Sequence, residues 1–284
     1  MGIQKVMVAG AGLMGTGIAQ VVAQAGIKVT VRDVSADALA QSQAKMKSTF
    51  DKLVSKGKLS EDEVQAAMGQ MTFTDSLQKA LDDADYVIEA VPENLALKQN
   101  VFQELDKAAA PHTILATNTS ELKVGSLAEA TQRPDKVIGT HWFFPAPVMR
   151  LIEVIRGDQT SDETLKETLH LCARLGKETV VCRDSQGFIT SRCYSALVAE
   201  ALRIHAEGIA SLEDIDKAMR LGFNFPMGPF ECVDMSGVDT VYHNLEGLEE
   251  AYGERYHPTD LMKKLVERNN LGRKTGKGFF KYAK

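Results

Sequence analysis

The stretch that decides the fold is Val6-Met7-Val8-Ala9-Gly10-Ala11-Gly12-Leu13-Met14-Gly15-Thr16-Gly17, near the start of the chain. Its apolar residues predict a strand, its glycines a sharp turn, and the residues from about Leu13 a helix. Glycines are needed where a chain turns off a strand, where backbone N–H groups approach a pyrophosphate, and where helix packs on strand. The pattern therefore predicts a dinucleotide site at a helix N-terminus, whose dipole favours a phosphate.

A second predicted strand, Lys28 to Arg32, ends next to Asp33. An acid at about 20 residues beyond the glycine turn accepts hydrogen bonds from the ribose 2′-hydroxyl and repels a 2′-phosphate, so NAD is favoured over NADP. A glycine-rich turn alone is often only a turn. Here strand, turn, helix, strand and acid follow in the required order, which favours the functional interpretation.

The chain has 284 residues, which suggests two cores, and its 44% hydrophobic and 25% charged residues are ordinary for globular proteins. No apolar run is long enough to span a bilayer, and the first strand leaves no room for a signal peptide, so we expect a cytoplasmic protein. The net charge of −5 argues against a general nucleic-acid binder. We expect no metal site or disulfide, and reduced, buried thiols at Cys172, Cys182, Cys193 and Cys232.

Strand and helix patterns alternate through the first two thirds of the chain. They predict an α/β domain over residues 1–184, a Rossmann-type doubly wound and mostly parallel sheet. Further strands are predicted at 71–74, 85–90, 113–117, 136–140, 151–155 and 178–182. Residues 185–284 show only helical patterns, with a Pro/Gly-rich break at 225–229 and two helical segments after it. They predict a smaller all-α domain.

Polar residues follow two of the buried strands, where open α/β sheets bind ligands. Glu93 follows one strand, and Asn118 and Ser120 follow the next. Lys98 falls in the first turn of a predicted helix, where the dipole disfavours a cation, and this hints at a ligand role. For Lys98, the alternative is an ordinary solvated lysine. For Asn118 and Ser120, the alternative is a turn that leads into a helix N-cap.

Glu153 lies in the middle of the apolar stretch Leu151 to Ile155. A carboxylate there is costly unless it meets a positive or hydrogen-bonding partner. His141 lies before the proline-rich turn that precedes this stretch, so the two strands can run side by side and the two side chains can meet. Glu153 would then hold the imidazole tautomer and stabilise the imidazolium that forms when His141 accepts a proton.

A lysine-rich helix face is predicted between Ser35 and about Lys56, and it includes Lys52. Such a face is most often only solvated. The alternative is a surface that binds a phosphorylated substrate handle.

Several motifs in order resemble the L-3-hydroxyacyl-CoA dehydrogenase family over nearly the whole chain. The matching stretches are Gly10–Gly15, Val87–Asn94, Ala116–Ser120, His141–Val154, Glu213–Met219, Pro226–Phe230 and Leu271–Phe279. The resemblance implies an NAD-dependent oxidoreductase of (S)-3-hydroxyacyl-CoA, short-chain substrates such as 3-hydroxybutyryl-CoA, a role in fatty-acid or butyrate metabolism, and a homodimer formed through the helical domain.

The resemblance also implies residue roles. His141 would be the general base, oriented by Glu153, and Ser120 would bind the reacting oxygen. Lys52 and Lys56 would meet the phosphates of CoA. The cofactor contacts would come from Gly10, Ala11, Gly12, Leu13, Met14, Gly15, Asp33, Glu93, Lys98 and Asn118.

Three positions depart from the family pattern. The family usually has Asn where Phe144 stands, a catalytically important Asn where Ser191 stands, and Ser where Glu121 stands. Two other interpretations therefore stay open. One is an NAD-dependent dehydrogenase of a free hydroxy acid or sugar acid, which would leave Lys52 and Lys56 without a ligand. The other is a catalytically weak NAD-binding protein.

Overall fold

The computed structural model describes residues 2–282 and divides into two compact units, Met1–Ser185 and Gln186–Lys284. The first unit is built on one sheet whose strands are β1 (Lys5–Ala9), β2 (Lys28–Arg32), β3 (Met71–Thr74), β4 (Tyr86–Glu89), β5 (Ile114–Thr117), β6 (Val137–Trp142), β7 (Leu151–Arg156) and β8 (Glu178–Arg183). Their order is β3-β2-β1-β4-β5-β6-β7-β8, and every neighbouring pair is parallel except β6 and β7. The predicted doubly wound, mostly parallel sheet is confirmed.

The sheet has a switch point between β1 and β4. The chain passes from β1 outward to β2 and β3, and then returns to β4 on the other side of β1. Ligands of open α/β sheets bind outside the carboxyl ends of the strands at such a point. The glycine turn follows β1 directly, so the topology places it at the expected ligand site.

The helices of the first unit are α1 (Leu13–Gln24), α2 (Ala36–Ser55), α3 (Glu61–Gly69), α4 (Leu77–Leu81), α5 (Leu95–Ala108), α6 (Val124–Ala128) and α7 (Asp162–Arg174), with a 3-10 helix at Pro134–Lys136. A capping box between Ser60 and Glu63 opens α3. Helices α4 and α6 were not predicted, because five residues are too few to show a helical period. Val6 and Val8 of β1 and Ile18 and Val22 of α1 are fully buried in the core of this unit.

The second unit contains α8 (Thr190–Ala206), α9 (Leu212–Phe223), α10 (Pro229–Ser236), α11 (Val238–Tyr252) and α12 (Asp260–Glu267), with 3-10 helices at Glu254–Tyr256 and Arg273–Thr275. Its own core includes Phe230 and Leu245. The prediction of two helical segments after the Pro/Gly-rich break was wrong, because three helices follow it. Gly237, with a φ of +107°, ends α10 and begins α11 within one residue.

Candidate active site

His141 and Glu153 form a buried pair at the centre of the antiparallel ladder. They stand directly opposite each other on β6 and β7, and His141 Nδ1 lies 2.7 Å from Glu153 Oε2. The imidazole is 5% exposed and the carboxylate residue is fully buried. The structure thus brings together the two side chains that the sequence predicted would meet, and the histidine supplies the partner that a buried carboxylate requires.

This geometry sets the orientation of the imidazole. An ionised carboxylate only accepts hydrogen bonds, so Nδ1 carries the hydrogen in the neutral ring and Nε2 is left as the basic nitrogen. The ring of Phe143 packs against the imidazole with 4.5 Å between centroids. The pair can therefore take up a proton at Nε2 while Glu153 stabilises the resulting positive charge.

The polar residues that follow β5 are tied to their neighbours by hydrogen bonds. Asn118 Oδ1 accepts a hydrogen bond of 3.0 Å from the backbone N–H of Trp142, next to His141. The backbone N–H of Ser120 donates to Glu93 Oε1 at 3.1 Å, and Thr119 Oγ1 donates to the same oxygen. These contacts fix Ser120 and Glu93 relative to each other at the carboxyl end of the sheet.

Glu93 belongs to an ion-pair network whose other members are buried. Lys98 is 1% exposed, and its Nζ lies 2.7 Å from Glu89 Oε1 and 3.2 Å from Glu93 Oε2. Glu89 is fully buried and also accepts hydrogen bonds of 2.7 Å from Thr117 Oγ1 and the N–H of Val91. The lysine that is out of place for the helix dipole is thus held by carboxylates.

Sequence reasoning did not give Glu89 and Thr117 any role in this network. The signal that could have found Glu89 is an acid inside a strand that is otherwise apolar, as with Glu153. The network joins the ends of two neighbouring strands to the segment that carries Glu93.

The glycine turn fits a dinucleotide. A Cβ at Gly15 would lie 1.9 Å from the carbonyl oxygen of Gly10, so the helix can approach the turn only with glycine at this position. A Cβ at Gly12 would meet nothing within 4 Å, which leaves open space in front of the turn. Gly12 also precedes the first turn of α1, which has no side-chain cap, so the N–H groups there face that space. A pyrophosphate supplies the acceptors that they need.

Asp33 is held at the side of the same turn. Its carboxylate accepts hydrogen bonds from the N–H groups of Ala11, at 2.8 Å, and Ser35, at 2.9 Å. It lines a cavity of about 630 Å³, of which the other lining residues are Gly10, Gly12, Leu13, Met14, Arg32, Val34, Ala38, Ala90, Val91, Pro92, Leu97 and Val101. The predicted acid therefore lies where a ribose next to the pyrophosphate would reach it.

A second cavity, called here the substrate cavity, lies on the other side of Leu13 and has a volume of about 540 Å³. Its lining is mostly apolar, with the segment Phe144–Val148 on one side. Two lysines, Lys45 and Lys58, also line it. Lys52 in the last turn of α2 and Lys56 just after the helix, the lysines singled out in the sequence, are exposed but do not line the cavity.

The geometry of α2 explains why Lys45 lines the cavity and Lys52 and Lys56 do not. Lys45 and Lys52 of α2 and the C-cap residue Lys56 repeat at spacings that place them along one stripe, and only Lys45 reaches the cavity. Lys58 lines the cavity because Gly57, with a φ of +63°, turns the chain back at the helix end. The sequence therefore located the basic stripe correctly without showing which of its charges face the cavity.

The three positions that depart from the family pattern differ in their surroundings. Phe144 is 57% exposed and lines the substrate cavity. Glu121 is half-buried, and its N–H donates to Thr119 Oγ1 at 3.3 Å. Ser191 belongs to the helical unit, where it is half-buried in the first turn of α8.

The cysteines only partly match the expectation. Cys172 is buried and Cys182 and Cys232 are half-buried, but Cys193 is exposed, so the prediction of a buried thiol was wrong there. The buried positions of α8 include Ser195, Val198 and Leu202, and Cys193 lies off that face. All four thiols are free.

Within residues 2–282, no cluster of His, Cys, Asp and Glu could hold a metal ion, and no described helix has the length and apolarity to cross a membrane.

Comparisons with known proteins agree with the geometry. The model of the 3-hydroxyacyl-CoA dehydrogenase NAD binding domain matches residues 5–185, and the model of the C-terminal domain of the same family matches residues 187–282. A probable 3-hydroxybutyryl-CoA dehydrogenase of Bacillus subtilis is 42% identical over 283 residues, which cover 99% of this chain and 98% of the relative. The mitochondrial hydroxyacyl-coenzyme A dehydrogenase of Rattus norvegicus is 42% identical, covering 99% and 91%.

Among solved structures, the (S)-3-hydroxybutyryl-CoA dehydrogenase of Ralstonia eutropha superposes with a TM-score of 0.96 and 39% identity, covering 99% of this chain and 100% of the other. Two family models that together span nearly the whole chain, full-length relatives and a near-superposable structure all point to the same family. The chain belongs to the 3-hydroxyacyl-CoA dehydrogenase family.

Proposed function

We propose that this protein interconverts (S)-3-hydroxyacyl-CoA and 3-ketoacyl-CoA with NAD, acting on short acyl chains such as the 3-hydroxybutyryl group. The observation that carries the proposal is the buried contact of 2.7 Å between His141 Nδ1 and Glu153 Oε2. It leaves Nε2 as the one basic nitrogen of the ring, which is what proton removal from a hydroxyl requires.

In the oxidation, His141 Nε2 takes the proton of the 3-hydroxyl group while the C3–H bond breaks and the carbonyl forms. NAD supplies the acceptor for the hydride that leaves C3. Glu153 stabilises the imidazolium, and Ser120 donates a hydrogen bond to the reacting oxygen. In the reduction the imidazolium returns the proton, so this direction needs protonated His141. Ser191 would assist from the position of the family's asparagine.

The cofactor would be held by the residues around the glycine turn. The free N–H groups at the start of α1, from Gly12 to Gly15, would bind the pyrophosphate, and Asp33 the ribose. Glu93 and Asn118 would lie beside the nicotinamide half. The contact of Lys98 with NAD stays a prediction, because its amine already meets two carboxylates and the carbonyl oxygen of Val91.

The thioester handle would lie in the substrate cavity. Its apolar lining suits the pantetheine arm, and Lys45 and Lys58 at its margin would attract phosphates. Lys52 and Lys56 continue the same stripe and would add to the field at the 3′-phospho-ADP group.

We also propose the roles of the two domains. Residues 1–184 would be the NAD-binding domain, and residues 185–284 the all-helical substrate and dimerisation domain. Exposed apolar side chains at the end of α9 support dimerisation, because Leu221 is 77% and Phe223 69% exposed. A cytoplasmic location and a place in fatty-acid or butyrate metabolism are part of the same proposal.

Oxidation of NADH with acetoacetyl-CoA, compared with free acetoacetate, tests this function. Turnover of the thioester alone is expected. Turnover of the free acid at a similar kcat/KM would favour a hydroxy-acid dehydrogenase, and turnover of neither ketone despite NADH binding would favour a catalytically weak NAD-binding protein.

A further inference from the structure

One wall of the substrate cavity is the segment Phe144–Met149, called here the wall segment. Its residues from Phe144 to Val148 line the cavity, and it packs closely on α1. A Cβ at Gly17 would lie 3.2 Å from Ala146 Cβ and 3.3 Å from Pro147 Cδ, so glycine at this position allows the close approach. The position of the wall segment therefore sets the width of the cavity.

Lys177, just before β8, holds this segment from behind. Its Nζ donates hydrogen bonds to the carbonyl oxygens of Ala146, at 2.6 Å, and Met149, at 2.7 Å. The same amine lies 5.6 Å from the centroid of the Trp142 ring. Trp142 stands two residues before the wall segment. Lys177 is half-buried, and this partial burial lowers the pKa of its amine.

The wall segment is anchored at its centre, where Ala146 is buried in the core against α1, and its ends are more exposed. Its internal hydrogen bonds run from the N–H groups of Val148 and Met149 to the carbonyl oxygen of Pro145. Phe144 and Val148 are 57% and 70% exposed. A charged amine that binds the middle and the end of such a segment acts as a clamp, because hydrogen bonds to charged groups are stronger than neutral ones.

We propose that Lys177 is a positioning residue for the thioester substrate, which keeps the wall segment in its binding position before the substrate arrives. The proposal rests on the function proposed above. Without the clamp the segment must be ordered on binding, and this ordering costs affinity. The loss should appear in the KM for acyl-CoA and not in kcat, because the wall contacts the ground state and the transition state alike.

Lys177→Met, which keeps the length of the side chain and removes the amine, tests the role. The KM for acetoacetyl-CoA is expected to rise about tenfold, with kcat and the KM for NADH nearly unchanged. Lys177→Arg should recover part of the loss. The matched control is Lys166→Met, which changes an exposed lysine of α7 that lines neither cavity and should keep the wild-type constants.

Amide hydrogen exchange of Val148 and Met149 gives a readout that needs no turnover. Exchange should be faster in Lys177→Met than in the wild type and in Lys166→Met, while the strands of the sheet keep their protection. An unchanged exchange rate, an unchanged KM, or a fall in kcat without a change in KM would each overturn the role. A wild type that does not turn over acetoacetyl-CoA would instead overturn the proposed function, and the exchange rates would still decide whether Lys177 holds the wall segment.

Discussion

Substitution of Glu153 by Gln isolates the charge of the buried pair. The Gln carbonyl oxygen can still accept a hydrogen bond from Nδ1, so the ring orientation and tautomer of His141 are kept. What the variant loses is the negative charge that stabilises the imidazolium. Because Glu153 is fully buried and His141 5% exposed, solvent cannot replace that charge.

The size of the effect follows from the contact. A hydrogen bond to a charged group contributes about 1.5–3 kcal/mol to stability. At about 1.4 kcal/mol per factor of ten, loss of this stabilisation in the transition state lowers kcat/KM by about 10- to 100-fold. Both directions of the reaction should slow, because oxidation forms the imidazolium and reduction starts from it.

The assay compares kcat/KM for acetoacetyl-CoA reduction and 3-hydroxybutyryl-CoA oxidation in the wild type and in Glu153→Gln. NADH affinity and the melting temperature show whether the site and the fold are intact. Glu178→Gln is the control, since this carboxylate makes an exposed ion pair with Arg150 and should matter little. Wild-type kcat/KM in a folded Glu153→Gln variant would refute the role of the charge.

Three further changes probe the cofactor, the substrate handle and the thiols. Asp33→Asn removes the charge that repels a 2′-phosphate, so the preference for NADH over NADPH in kcat/KM should fall about tenfold. An unchanged ratio would place the discrimination elsewhere. In the double variant Lys52→Gln/Lys56→Gln, the KM for acetoacetyl-CoA should rise several-fold at low ionic strength and much less at high salt. If the variant and the wild type have equal KM values at low salt, these lysines do not belong to the CoA site. Exposed Cys193 should be alkylated before Cys172, because burial raises the pKa of the Cys172 thiol to about 12; mass spectrometry that finds Cys172 labelled first would contradict this order.

Two kinds of feature allowed parts of the site to be predicted from the sequence. One is a local pattern with fixed spacing, and the other is a residue type that is energetically unfavourable in its surroundings. Gly10, Gly15 and Asp33 stand at fixed spacings around one turn. Glu153 stood out because an acid inside an apolar strand needs a partner, and a short turn left His141 as that partner.

The parts that could not be predicted depend on contacts between distant segments. Lys98 could be noticed as misplaced, but its pairing with Glu89 follows from how α5 packs against the end of β4. The role of Lys58 depends on the turn at Gly57, and the contacts of Lys177 depend on the course of a loop about thirty residues earlier. None of these contacts leaves a period or a motif in the sequence.

In the proposed reaction, His141 transfers the proton that accompanies hydride transfer. The most direct test is the single-turnover rate of NADH oxidation by acetoacetyl-CoA in the wild type and in His141→Ala, with NADH binding measured in parallel. The rate is expected to fall by about 10²- to 10⁴-fold in the variant while NADH affinity is kept. A variant that binds NADH and reduces the thioester at the wild-type rate would contradict this role of His141.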